Sequence, residues 1–489
     1  METEIELKYL VLGDNISTVI TNLLQQHQLV FTTQKKQLIN SYFDTPDLQL
    51  RKADIGLRTR KNGQGQQEQT IKTAGTSLGG LHQRPEYNYD IGTDVIVPEL
   101  TLFEPHIWPE NFNVELIQSQ LTRLFSTNFE RSIWLITMQD GSVIELAFDQ
   151  GNIVSGEQQD SICEIELELV SGLKESLFTL AKLLFSRLSL RPGSLSKAAR
   201  GYGLVFGLTE PHISSANTVL PLHIDMSLEQ SFKSGFGECL LQVQQLVHQF
   251  VLEPNLYQLK EIIDSLALAR HGLWLYKDYL ADNISVEIRA EIKSILQELS
   301  WVEEAKQIKE LTTRTGNYRK KIERCETLLN ALKNERHQIV DFDYVISLLH
   351  SERFNRLQLH MLKLLLAENV VNNATTLQDL APSWLSIHLD DVQNLLVKPQ
   401  QLTIESYLKN HNYLIRSLLT GSWFAGIFDI DERMEFRGPW LDIHHGIDEL
   451  ETLSMLKVFV ASHAIEQPEK LLSWLDDKLE NLLGALGQC

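Results

Sequence analysis

Two acidic stretches far apart in the chain frame the chemistry it could do. Glu4, Glu6 and Lys8 alternate with Ile5, Leu7 and Tyr9, and Glu164, Glu166 and Glu168 alternate with Ile165 and Leu167. Successive side chains on a strand face opposite ways, so each stretch presents charge on one face and apolar groups on the other. Between them, basic residues recur at the same spacing. Arg58 and Arg60 share a face, as do Thr70 and Lys72, and Arg84 and Glu86; Arg131 opens a later strand, on which Glu145 and Asp149 follow as a co-facial pair. Hard divalent cations take oxygen ligands, and Arg and Lys clamp phosphoryl oxygens. Taken alone, an E-x-E-x-K run is a solvated edge. Two such acidic strands with basic strands between them suit a wet lumen that holds a charged ligand, because so many unpaired charges are prohibitively costly in a dry one. A metal–polyphosphate complex needs carboxylates at one place and cations at another. Glu86 and Glu145 read first as partners of neighbouring cations, and Tyr42 as packing.

The elements that must position these residues are mostly strands. Strands are predicted over 1–10, 35–44, 55–61, 67–73, 84–90, 132–139, 142–149 and 161–170, with Asp140-Gly141 as a hairpin turn. Helical spacing is seen over 15–27, 46–52 (with Thr45 as cap before Pro46), 113–126 and 172–189, and 75–80 reads as a glycine-rich loop. The turn Asn62-Gly63-Gln64-Gly65 joins two of the strands. About eight antiparallel strands with few helices suggest a barrel or strongly curved sheet. The phosphate-cradling pattern G-x-x-x-x-G-K-[ST] is absent.

At 489 residues, two or three domains are expected. A net charge of −20 disfavours a general nucleic-acid binder or a ligand of anionic membranes. No run of about 18 uncharged apolar residues is present, so no membrane helix is expected. Patterning from the first residues predicts no signal peptide. Cys163, Cys239, Cys325 and Cys489 lie far apart, which predicts neither a disulfide framework nor a zinc site and makes a reducing, cytoplasmic compartment the expectation.

The ordered set Glu4-Ile5-Glu6-Leu7-Lys8, Tyr42-Phe43-Asp44-Thr45, Leu57-Arg58-Thr59-Arg60, Thr70-Ile71-Lys72, Arg84-x-Glu86, Glu145-x-x-x-Asp149, Glu164 to Glu168 and Ser196-Lys197 resembles a CYTH domain, the fold of the triphosphate tunnel metalloenzymes, over residues 1–205. The ending Leu195-Ser196-Lys197-Ala198-Ala199-Arg200-Gly201-Tyr202 is similar to bacterial inorganic triphosphatases that carry a C-terminal CHAD domain. The resemblance implies an eight-stranded antiparallel tunnel with flanking helices that hydrolyses inorganic triphosphate to diphosphate and phosphate with Mg²⁺ or Mn²⁺. It implies metal ligands among Glu4, Glu6, Asp149, Glu164, Glu166 and Glu168, with Glu145 in support. Phosphate clamps would be Arg58, Arg60, Lys72, Arg84, Arg131 and Lys197. Lys8, beside the acidic pair, would orient or polarise the attacking water. Thiamine or nucleoside triphosphate hydrolysis, and a non-enzymatic polyphosphate-binding scaffold, are the rival readings.

After a linker at 206–217, residues 218–489 read as helical bundles, with helices expected at 224–250, 255–281, 285–302, 316–349, 352–367, 374–381, 385–394, 402–419, 445–464 and 467–484. The stretch from Phe436 to Leu450 resembles a CHAD domain, which implies polyphosphate binding. The charge count departs from that: 26 Lys+Arg against 38 Asp+Glu over 221–489, a net of −12, would repel a long polyanion. The Arg-rich helix expected of the family is reduced to Ala267-Leu268-Ala269-Arg270-His271, and Arg319-Lys320-Lys321 with Arg324 remains as a basic run. Eleven of the 15 histidines lie in this half. None pairs at i, i+4 spacing with another, and they read as buried or surface residues rather than metal ligands.

Overall fold

The computed structural model describes residues 2–61, 65–93, 95–110, 112–207, 219–280, 283–313, 316, 318–371, 376–396 and 402–487. Most of the expected turn at 62–65 and of the linker at 206–217 falls outside them. Contacts divide the chain into two units, Met1–His212 with Ser347–Leu359, and Ile213–Ile346 with His360–Cys489.

The first unit is built on ten strands: β1 (Glu2–Leu12), β2 (Val30–Asp44), β3 (Gly56–Lys61), β4 (Gln67–Lys72), β5 (Thr76–Leu78), β6 (Leu81–Gly92), β7 (Thr122–Thr137), β8 (Val143–Ser155), β9 (Gln158–Ser171) and β10 (Ser189–Pro192). Their order is β10-β1-β9-β8-β7-β2-β3-β4-β6-β5, and a further pairing of β1 with β6 closes the sheet. Eight strands therefore form an antiparallel ring, with β5 and β10 paired outside its circuit. Closure removes the sheet edges. Strand β1 is the seam: Glu2 to Leu7 face β6, while Glu6 to Leu10 face β9.

Alternation decides what lies inside the ring. Leu7, Ile144, Leu146, Ile165 and Leu167 are all fully buried on the outer face, where the helix Lys174–Phe185 covers β9 with Leu177, Leu180, Ala181 and Leu184. That leaves the charged face for the lumen. The hairpin forms as expected: Gly141 takes a positive φ of 84°, and Asp140 accepts the Ser142 N–H at 3.0 Å.

Several elements differ from expectation. The helix expected over 113–126 ends at Gln120, and β7 begins at Thr122, because Phe125, Thr127 and Phe129 bury alternately against the long partner β2. Residues 76–78 of the glycine-rich loop pair with β6. The short helix runs Gln49–Lys52; the Thr45 hydroxyl accepts the Gln49 N–H at 3.0 Å, as a cap there would, and the Asp44 carboxylate accepts the N–H groups of Leu50 and Arg51 at 2.9 and 3.0 Å.

The second unit is helical. The helices expected at 374–381 and 385–394 are one, Leu377–Leu396, with Pro382 inside it, and 445–464 belongs to Ile430–Ser462, which runs through Pro439. A proline frees the carbonyl four residues back. Those carbonyls belong to Gln378 and Glu435, both exposed, so water can satisfy them. The stretch 316–349 breaks into Arg319–Ile322, Glu326–Ile339 and Phe342–Leu349, and Trp301–Thr312 is a separate helix. One apolar core joins Tyr407 and Leu414 of Ile404–Trp423 to Ile443, Ile447 and Leu450 of Ile430–Ser462. No helix of the described residues is long and apolar enough to cross a membrane.

Candidate active site

The ring encloses a cavity of about 360 Å³. Glu4, Glu6, Lys8, Arg58, Arg60, Lys72, Arg84, Arg131, Glu166, Glu168 and Lys197 line it, and so does Glu145; Asp149 and Glu164 are buried behind it. A second cavity of about 300 Å³ shares Arg60, Arg131 and Glu145 with the first.

The strand register lays three carboxylates in one row. Glu6 of β1 is directly opposite Glu168 of β9, which is directly opposite Glu145 of β8. Like charges opposite one another destabilise a sheet. No Lys or Arg among the described residues forms an ion pair with Glu6, Glu168 or Glu145. Glu4, on the same face as Glu6, shares the Lys72 ammonium with Glu86, which accepts from Lys72 at 2.9 Å. Burial, with Glu166 and Glu4 nearby, pushes the Glu6 carboxyl up to about 8; burial, with Glu4 and Glu145 nearby, pushes Glu168 up to about 7. A row of oxygen donors with uncompensated negative charge fits a hard divalent cation.

Two to four residues further along the same strands, the carboxylates are paired with cations. Asp149, Glu164 and Glu166 bring oxygens within 4.8 Å of one another. Three cations tie them closely, and Arg200 lies 3.6 Å from Glu164. The Lys197 ammonium reaches Asp149 at 2.7 Å, Glu166 at 2.8 Å and Glu164 as well. Lys8 lies 2.7 Å from Glu164 and 3.3 Å from Glu166. Arg131 grips both oxygens of Asp149 at 2.7 and 2.6 Å and meets Glu166 at 2.5 Å. Against the opposing effect of burial, Lys197, Lys8 and Arg131 hold the Glu166 carboxyl well below its usual range. Against the same effect, these carboxylates raise Lys197 well above its own.

The remaining cations behave differently. Buried Arg60 has its pKa lowered to about 10 by burial and by the nearby Arg58 and Arg131 guanidiniums. It donates to Asn40 at 2.9 Å and lies 3.5 Å from Glu68. Arg58 lies 3.4 Å from Glu86, yet its Nε is buried without a hydrogen-bond partner, and so is the Nε of Arg84. Orphaned guanidinium donors in a polar cavity call for an anion. Glu86 pairs with Lys72 and Arg58, not with Arg84, and against burial these cations hold it down to about 2.

Helix Lys197–Phe206 packs against the ring beside this cavity. Ser196 caps it by accepting the Ala199 N–H at 3.1 Å, which sets Lys197 at the first helical position. A Cβ at Gly201 would lie 2.1 Å from the Phe125 ring, so only glycine lets the helix approach this closely. Tyr202 donates to Asp44 at 2.9 Å, which ties this helix to the end of β2.

Asn40 and Asn88 escaped the sequence reading. Asn40 is fully buried and donates to Thr127 at 2.7 Å; Asn88 lines the cavity and accepts from Thr70 at 2.7 Å. Continuing the alternation two residues back from Tyr42 and two on from Glu86 finds both.

The second unit holds a smaller basic cavity of about 320 Å³, lined by Arg270, Arg289 and Arg416 with His271 and Trp274. The Nε atoms of Arg270 and Arg289 are buried without partners, and burial with Arg289 and Arg416 nearby lowers the Arg270 pKa.

The chain is 40% identical over 210 residues to a protein named inorganic triphosphatase from Haemophilus influenzae, covering 41% of this chain and 55% of the relative, so it spans about half the relative's length. A putative adenylyl cyclase from Hippeastrum, reported to have a dominant triphosphatase activity, is 18% identical with a TM-score of 0.33, covering 42% of this chain and 98% of its own. The CHAD domain from the plant Ricinus communis is 15% identical with a TM-score of 0.40, covering 56% of this chain and 91% of its own. Identities this low, with superpositions this partial, say nothing about activity. Residues 2–202, the portion that contains the closed ring, match the CYTH domain.

Proposed function

We propose that residues 1–205 form a metal-dependent triphosphatase domain that hydrolyses inorganic triphosphate to diphosphate and phosphate. The observation that carries this reading is the division of one lumen into an uncompensated carboxylate row, Glu6–Glu168–Glu145, and two guanidiniums, Arg58 and Arg84, each with a buried Nε that lacks a partner. The name of the Haemophilus influenzae relative supports the choice of substrate.

Arg58, Arg60 and Arg84 bind phosphoryl oxygens and neutralise charge as it shifts in the transition state. Glu4, Glu6 and Glu168, with Glu145, hold a divalent cation, Mg²⁺ or Mn²⁺ by the hardness of the donors. Such an ion, when bound, neutralises phosphoryl charge and lowers the pKa of a coordinated water. Lys8, Arg131 and Lys197 are engaged with Asp149, Glu164 and Glu166. In this reading they fix the lumen wall and meet the substrate from there. Cytoplasmic residence belongs to the same reading, and Cys163, Cys239 and Cys325 are free thiols.

Phosphate release from triphosphate, thiamine triphosphate and ATP, with Mg²⁺ or Mn²⁺, tests the reading on wild type, Glu4→Ala and Lys8→Ala. Faster release from triphosphate than from the other two is expected, with loss in both variants. No release from any substrate leaves a binding scaffold; preference for thiamine triphosphate or ATP reassigns the substrate.

A second reading concerns the helical unit. Its net charge opposes a polyanion, but Arg270, Arg289 and Arg416 form a local basic cavity with orphaned donors. It would take an oxyanion such as a polyphosphate end. Titration with long-chain polyphosphate over a salt series should give saturable binding that weakens in Arg289→Gln; no binding at low salt rejects it.

A further inference from the structure

Lys8 stands where strand β1 changes partner. On one edge of β1, Leu7 ends the pairing with β6 and Tyr9 begins the pairing with β10, so Lys8 falls between them. Two glycines fill the gap. The Lys8 N–H donates to the Gly80 carbonyl at 3.0 Å, and the Lys8 carbonyl accepts the Gly193 N–H at 2.9 Å. Gly193 also lies along the lysine side chain: a Cβ there would meet Lys8 Cγ, Cδ and Cε at 3.1, 3.4 and 3.6 Å. The Gly193 backbone is thus the wall against which the lysine stem rests.

Gly193 is in turn held from β6. His82 is directly opposite Glu6 in the strand register, and by alternation it shares the inner face of β6 with Arg84 and Glu86. Its ring is buried, and its Nε2 lies 3.2 Å from the Gly193 carbonyl oxygen. A carbonyl only accepts, so Nε2 carries the hydrogen. Burial and the Lys8 ammonium push the imidazole down to about 4, which keeps the ring neutral.

We propose that His82 is a positioning residue for Lys8: its Nε2–H fixes the Gly193 carbonyl, and the Gly193 backbone fixes the lysine stem so that the ammonium stays on Glu164 and Glu166. The inference rests on the triphosphatase reading, in which Lys8 meets the substrate from the lumen wall. A lysine is a point charge on a flexible four-carbon stem, so its aim must come from what the stem packs against. Its carboxylate partners do not supply that aim alone, because Lys197 pairs with the same two. The ring of His82 is buried and its donor is spent on Gly193, so it acts through the lysine.

The test measures phosphate release from triphosphate with Mg²⁺ by the full chain. The variants are His82→Leu, which removes the donor, and His82→Gln, whose amide keeps one, each also combined with Lys8→Ala. His82→Leu is expected to lower kcat about 10- to 100-fold with KM little changed, the scale of a group misplaced by about 1 Å, and His82→Gln to retain most of the wild-type rate. In the Lys8→Ala background His82→Leu should cost no more than about twofold, the margin within which independent effects add. A merely structural histidine would cost the same factor in both backgrounds. Gly193→Ala, which crowds the stem with His82 intact, should show the same dependence on Lys8 and carries the test should His82→Leu not fold. Acetylation of the native protein by acetic anhydride, read at each lysine by mass spectrometry, follows Lys8 without turnover: it should label faster in His82→Leu and not in His82→Gln. The proposal is overturned by an undiminished kcat in His82→Leu, by an equal loss in the two backgrounds, or by unchanged labelling of Lys8. Wild type that releases phosphate from no substrate fails the triphosphatase reading instead, and the labelling by itself then decides whether His82 positions Lys8.

Discussion

Two groups of carboxylates sit on the inner face of one ring, and their neighbours differ. Asp149, Glu164 and Glu166 lie within 4.8 Å of one another and are knitted to Lys8, Arg131 and Lys197. Glu6, Glu168 and Glu145 stand in register across three strands with no Lys or Arg paired to them among the described residues. By proximity alone the first group looks like the metal site. By compensation we assign it to the second, because an ion entering the first must displace the ammonium and guanidinium groups paired there. Closeness of ligands measures geometry; unpaired charge measures demand.

The contrast can be broken at either end. The largest effect is expected for Lys197→Met, which takes one ammonium from three carboxylates. Leaving buried charge uncompensated costs about 3–5 kcal/mol, read as a fall in denaturant midpoint at constant m-value. A loss below about 1 kcal/mol, the level of an exposed pair, would erase the distinction. Glu6→Gln should do the opposite: triphosphate hydrolysis falls about 100- to 1,000-fold, the scale of losing one electrostatic contact to the transition state, while the metal-free protein keeps or gains stability. Arg84→Met removes an orphaned donor and should raise KM for triphosphate about tenfold or more, since hydrogen bonds to charged groups contribute about 1.5–3 kcal/mol. An unchanged KM would take Arg84 out of the binding set. The smallest effect is a pH slope. The Glu6 carboxyl is raised from 4.5 to about 8 by burial and its acidic neighbours, so between these values the unfolded chain ionises while the fold holds the proton. Stability of the metal-free protein therefore declines through this component as pH rises across that window. Glu6→Gln should flatten the decline; an identical slope in the variant would remove Glu6 as its source.

Much of this was legible in the sequence, and the limits were physical. Alternation alone put Glu4, Glu6 and Lys8 on one face and Glu164, Glu166 and Glu168 on another. It could not show that Lys8 is opposite Glu166, or Glu6 opposite Glu168, because register depends on how distant strands meet. Alternation makes the three co-facial glutamates of β9 equivalent, and the positions of Lys8, Lys197 and Arg131 separate Glu164 and Glu166 from Glu168. Closure through β1 and β6 is likewise a long-range fact. Helix ends were misread where tertiary partners overrode local pattern, as at Thr122, where β2 supplies a pairing edge to a stretch with helical spacing. The His411–His444 contact was invisible because spacing within one helix says nothing about a neighbour from the next.

Strand β1 closes the ring, and its partner β9 lies some 160 residues later in the chain. At about 5–20 residues per second, it waits on the order of 8–30 s with a sheet edge exposed. Its alternating Glu4, Glu6 and Lys8 put charge on every second position, the pattern that keeps an unpaired strand from recruiting a neighbouring chain. Two of these, Glu4 and Glu6, are residues we assign to holding a cation in the finished tunnel, so the charge that serves the site also suits the strand before its partner arrives.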